Sequence, residues 1–82
     1  MATIIRADGT RAETSAVSLK DLQTVVGGYI EIVSIGGGGY IVLDEEGKLK
    51  NKPLNVIATE LYNNQNDVIV GDVVVCSQAE ID

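Results

Sequence analysis

The chain has no histidine, no tryptophan and no phenylalanine, and only one cysteine and one proline among its 82 residues. Without imidazole it lacks the commonest general base, the Ser-His and Cys-His nucleophile pairs, and the ligand found in nearly every zinc site. A lone Cys76 makes no internal disulfide, which suits a reducing compartment, and the expected location is cytoplasmic. Cys76 also follows three valines, Val73 to Val75, and a thiol among apolar neighbours is a core residue before it is a nucleophile. Long apolar runs are absent too. Each is broken by glycine or charge, so no membrane helix is expected, and no N-terminal stretch reads as a signal peptide.

Positive charge is scarce. Six Lys and Arg stand against twelve Asp and Glu, for a net charge of −6. Residues 1–20 hold Arg6, Arg11 and Lys20, while the remainder carries Lys48, Lys50 and Lys52 against ten carboxylates. With no basic stripe, the chain is a poor nucleic-acid binder, because that affinity comes mostly from neutralising phosphates. The acidic run Asp44-Glu-Glu46 lacks the spacing of a calcium loop and reads as a solvated turn. No metal and no cofactor is expected, and the chain is not expected to be an enzyme.

What is present is aliphatic. Apolar residues form 45% of the sequence, but the only aromatics are Tyr29, Tyr40 and Tyr62. Val, Ile and Leu must build the core, and these branched residues favour a half-buried sheet. One domain of this size, spanning residues 1–82, removes only about 60–65% of its unfolded surface from water, so self-association would help it.

Ala2 to Ala7 reads as a strand, turned by Asp8-Gly9 into a return strand through Thr10 to Val17. Ser18 is a helix N-cap with Asp21 three residues on. Leu19, Leu22, Val25 and Val26 share a helical face that Gly27-Gly28 terminates. Tyr29 to Ile35 and Tyr40 to Asp44 form a second hairpin. The alternating Lys48, Lys50 and Lys52 read as one face of a short strand whose other face buries Leu49. Pro53 opens a second helix with the stripe Leu54, Ile57, Ala58, Leu61 and Tyr62, which dissolves in Asn63 to Asp67. Val68 to Val70 and Val73 to Cys76 are apolar β runs bent at Gly71-Asp72, and residues 76–82 read as a fraying tail. The order predicts an α+β fold: a small mixed or mainly antiparallel sheet of about five strands with two amphipathic helices on one face.

The second hairpin turns through Gly36, Gly37, Gly38 and Gly39. Such a tract makes a flexible tip, or a concavity of backbone N–H groups that holds an anion. It lacks the Gly-x-Gly-x-x-Gly pattern and a Gly-Lys-Ser/Thr, so no dinucleotide or phosphate loop of the usual kind is predicted. The sharper reading joins the glycines to Lys48, Lys50 and Lys52 as donors, with Tyr29 or Tyr40 stacking on a base. Glu31 shares a strand face with Tyr29 and Val33, and an open face is expected there.

The blocks Leu22-Gln-Thr-Val-Val-Gly-Gly-Tyr-Ile-Glu31, Asp44-Glu-Glu-Gly-Lys-Leu49, Pro53-Leu-Asn55 and Asp67-Val-Ile-Val-Gly-Asp-Val73 together resemble a known family. It consists of small proteins encoded by phages, plasmids and other mobile elements, known only as a domain of unknown function, number 3846. The resemblance implies an intracellular accessory protein in a bacterium and supplies no reaction. It carries over Gly27, Gly28, Tyr29, Glu31, Asn55 and Gly71. Of these, Tyr29, Glu31 and Asn55 have side chains suited to a partner.

Two functions follow as expectations. One is a non-catalytic homo-oligomer that sequesters a small anionic, nucleotide-like ligand as an anti-defence sponge, using Tyr29, Glu31, Gly36 to Gly39, Tyr40, the three lysines and Asn55. The other is an inhibitor or adaptor that docks on a host or phage protein through an acidic face or an exposed strand edge. Neither involves nucleic acid directly or a membrane.

Overall fold

A computed structural model describes residues 2–15, 18–63 and 66–77. Strands β1 (Ala2–Ile5), β2 (Arg11–Thr14), β3 (Ile30–Gly36), β4 (Gly39–Asp44) and β5 (Val73–Ser77) form one antiparallel sheet in the order β2-β1-β5-β4-β3. Helix α1 spans Leu19–Val26 and α2 spans Val56–Tyr62. The α+β class and the five strands are as the sequence predicts. Among the described residues, no helix is long and apolar enough to cross a membrane.

Local chemistry sets most boundaries. The first turn closes with Gly9 N–H on the Arg6 carbonyl at 2.9 Å, and Asp8 accepts from both the N–H and the hydroxyl of Thr10. β1 therefore ends at Ile5, two residues short of expectation. Ser18 caps α1 by accepting from Asp21 N–H at 3.2 Å, and Gly27, at φ 84°, ends it by donating to Gln23 O. The expected return strand ends at Thr14 within the described residues, since Ala16 and Val17 lie outside them.

Three expectations need correction. The helices do not share a face. α1 places Leu22 and Val26 against Ala2, Val42, Val74 and Cys76, whereas Ala58 of α2 packs with Ile5, Ile41, Leu43 and Val73. Adjacent strand residues point to opposite sides, so the two clusters lie on opposite faces and the sheet is sandwiched between the helices. Next, α2 begins at Val56 and not at Pro53, because the Asn55 side chain is its N-cap, accepting from Ala58 N–H at 3.0 Å. Leu54 instead bridges Val70, the one described pairing in the expected Val68 to Val70 strand, and Leu61 is largely exposed. Finally, Lys48 to Lys52 is a succession of turns, with Lys50 N–H on Glu46 O and Lys52 N–H on Gly47 O, and Leu49 is 81% exposed. Cys76 and Ser77 belong to β5 and do not fray; residues 78–82 lie outside the described residues.

Candidate functional site

Asp44, the last residue of β4, organises one end of the molecule. Its side chain is 1% exposed and accepts from Lys52 Nζ at 2.7 Å, Lys50 Nζ at 2.9 Å and Glu46 N–H at 2.8 Å. Burial pushes its carboxyl up, but the hydrogen bonds from Lys52, Lys50 and the Glu46 N–H outweigh that and hold it down at about 2. The same ammonium groups reach α1. Lys52 donates to Val26 O, and Lys50 lies 3.3 Å from Gly27 O. α1 has no basic residue of its own in its last turn, so these lysines satisfy its terminal carbonyls and the negative end of its dipole. Lys48 pairs with Asp67, whose carboxyl is lowered by that hydrogen bond and by the Val68 N–H.

This arrangement revises the expected anion site. The lysines are held inward by a carboxylate and two carbonyls and do not project from a strand. The glycines are also far away: Gly39 begins β4 and Asp44 ends it, so about 17 Å of strand separates tip from lysines at roughly 3.4 Å per residue. Gly36, Gly37 and Gly38 all have positive φ, and nothing approaches the space a side chain there would fill. Tyr40 lies mid-sheet, opposite Ser34 and Cys76, half-buried. Asn55 is 1% exposed and donates to Ile5 O at 3.0 Å and Gly71 O at 2.9 Å while it caps α2. Both capacities of its amide are used inside, so no ligand reaches it.

What does come together at the surface is apolar and acidic. Tyr29 is 70% exposed at the entry to β3, and its carbonyl accepts from Glu45 N–H at 2.9 Å. An open cleft of about 290 Å³ runs between Tyr29, Gln23, Gly28, Glu46 and Lys50. A narrower one of about 110 Å³ on the other side of the 45–52 turns is lined by Glu31, Glu45, Leu49, Tyr62 and Val68, among others. Glu31, Glu45 and Glu46 are exposed, but the face that Glu31 shares with Val33 and Leu43 is not the open face expected: Val33 and Leu43 pack in the α2 cluster, and Glu31 reaches water from the edge strand. Tyr29 is therefore an apolar knob beside Glu46 and Lys50, and Leu49 a second one beside Glu31, Glu45 and Lys48. Leu49 escapes a sequence reading because alternation with lysines makes it look inward-facing. Asp44 escapes as well, although a visible signal exists: it continues the alternation of β4 onto the side of Val42, which is buried.

These features define a small antiparallel sheet with one helix on each face and two clefts at one end, and among the described residues no group of His, Cys, Asp and Glu is placed to hold a metal ion. The family model for a domain of unknown function, DUF3846, matches residues 1–82, and the chain belongs to that family. No curated protein and no solved structure matches it.

Proposed function

We propose that this chain is a non-catalytic accessory protein of phage or mobile-element type that works in the bacterial cytoplasm by docking on another protein. The carrying observation is the contrast at one end of the sheet: Lys50 and Lys52 are bound to Asp44, while Tyr29 and Leu49 stand 70% and 81% exposed among Glu31, Glu45 and Glu46. Aromatic and aliphatic anchors inside a polar rim are the usual make-up of a protein-binding hot spot. Glu31, Glu45 and Glu46 outnumber Lys48 and Lys50 in that rim, so the partner surface is basic with an apolar recess. A nucleotide sponge has less support, because within one copy the glycine tip and the lysines are far apart and the lysines already have counter-charges. A lone thiol buried in β5 suits a reducing cytoplasm.

The test is affinity capture from bacterial extract with the wild type and with Tyr29→Ala/Leu49→Ala. Two exposed anchors removed from a hot spot are expected to weaken a specific retained protein by about 2–4 kcal/mol, roughly thirty- to a thousand-fold. The melting temperature should stay unchanged, because neither side chain packs in the core. Retention of the same partner at full affinity by the double variant contradicts the assignment.

A further inference from the structure

The sheet has two edges, and they are unequal. β2 is four residues long and carries Arg11 and Glu13, both exposed. β3 is the longest strand, Ile-Glu-Ile-Val-Ser-Ile-Gly, with no proline, no cation and Glu31 as its one charge. Short charged strands discourage edge pairing, and long aliphatic ones invite it.

The direction of the free backbone groups on β3 follows from its ladder. Tyr29 O accepts from Glu45 N–H, in register with the Ile30↔Asp44 and Glu31↔Leu43 partners. In an antiparallel pair the hydrogen-bonded residues alternate, so Tyr29, Glu31 and Val33 are bonded to β4. Ile30, Ile32 and Ser34 then point N–H and C=O away from the sheet. β3 is the last strand of the sheet, so no described strand covers those groups. Ile32, at the middle of this row, is 42% exposed.

We propose that β3 pairs antiparallel with β3 of a second copy, centred on Ile32, so that two sheets join into one of ten strands. In that register every outward group is used: Ile32 bonds the partner's Ile32, and Ile30 and Ser34 bond the partner's Ser34 and Ile30. Glu31 then faces the partner's Val33. Moving the register one way brings Glu31 opposite the partner's Glu31, and like charges directly opposed are destabilising. Moving it the other way carries Ile30 past the irregularity between Ser34 and Gly36. The two-fold axis stands perpendicular to the sheet, which keeps both α1 helices on the same face.

The pairing also completes the docking surface. Because Ser34 bonds the partner's Ile30, the glycine tip that follows Ser34 lies toward the end at which the partner's Tyr29 enters β3. Each copy's glycine tip thus flanks the other copy's Tyr29 cleft. A tip without side chains extends that surface by backbone alone, which gives Gly36 to Gly38 a role that one copy lacks. The description of this surface as a docking site rests on the proposed function; the pairing itself does not.

Sedimentation of the purified chain, with no other protein present, separates the two. A dimer is expected at micromolar concentration, with Ile32→Lys raising its dissociation constant about a hundredfold through two opposed buried charges. The Ile32→Lys chain should keep its circular dichroism, since the side chain is at the rim. As a second reading, Ile32→Cys should cross-link to itself under mild oxidation, because Cα atoms of such a pair lie about 5.5 Å apart, within disulfide reach. Ser34→Cys should not, as its copies are about 14 Å apart along the strand. A monomer up to millimolar concentration, a dimer indifferent to Ile32→Lys, or equal cross-linking at both positions overturns the pairing. Full-affinity partner capture by Tyr29→Ala/Leu49→Ala with the dimer intact overturns only the docking assignment.

Discussion

Replacing Asn55 by alanine is expected to destabilise the chain by about 3–5 kcal/mol, since unsatisfied buried polar groups cost roughly 1–3 kcal/mol each and a lost N-cap about 1. One amide serves three otherwise distant segments: it caps α2 through Ala58 N–H and donates to the carbonyls of Ile5 in β1 and Gly71 before β5. Alanine takes a hydrogen-bond partner from each of the three. A domain of this length holds roughly 0.05–0.15 kcal/mol per residue, so a large share of its stability would go. Urea unfolding measures it, with a lower midpoint at constant slope. Asn55→Ser should recover the capping part alone, giving an intermediate midpoint. A loss under about 1 kcal/mol for alanine, below the usual range for a buried network, would show that water or a shifted α2 replaces the amide.

Asp44→Ala is expected to cost about 2–4 kcal/mol. Breaking a fully buried ion pair costs about 3–5 kcal/mol, but Lys50 and Lys52 are 39% and 22% exposed and can turn partly to water. The effect depends on pH with a definite sign. The carboxyl sits at about 2 in the folded chain against an ordinary 3.8. Its contribution is therefore complete above pH 4 and disappears as pH falls through about 2. Asp44→Asn should be less stable than the wild type at pH 7, and the gap should close towards pH 2. Asp8 and Asp67 are also lowered by local hydrogen bonds, so only the difference between wild type and variant isolates Asp44. A gap that stays constant from pH 7 to pH 2 contradicts the assignment.

Local signals in the sequence survive in the structure where the chemistry is local. Asp8-Gly9, Ser18 and Gly27 each satisfy their bonds within five residues, and each does what its type predicts. The glycine hairpin is legible for the same reason. The misread segments depend on groups far away in the chain. Lys48 to Lys52 alternates like a strand, but Asp44 and the α1 carbonyls of Val26 and Gly27 draw Lys50 and Lys52 inward, which forces turns and expels Leu49. Pro53 has the right place to start a helix, yet Asn55 reaches Ile5, fifty residues earlier, and that bond fixes the start at Val56. The two-face arrangement of the helices follows from inserting β5, the last strand, between β1 and β4, and strand order leaves no trace in periodicity.

The candidate site was legible in the same uneven way. Tyr29 and Glu31 are exposed, but Glu31 stands on the edge strand of a face that α2 covers and not on the open face expected, because which helix covers a face is set by strand order and not by local pattern. The lysines and Asn55 proved to be scaffold, since their partners lie in other elements.

The central claim is that Lys50 and Lys52 are committed to Asp44 and α1 and are not available to an anionic ligand. Thermal unfolding with a panel of linear and cyclic nucleotides tests it most directly. Ligand at a hundredfold its dissociation constant adds about 2.7 kcal/mol, on the order of 10–20 °C for a domain of this size. The account predicts no shift with any member of the panel. A rise of that size, abolished by Lys50→Ala while the variant remains folded, would contradict it.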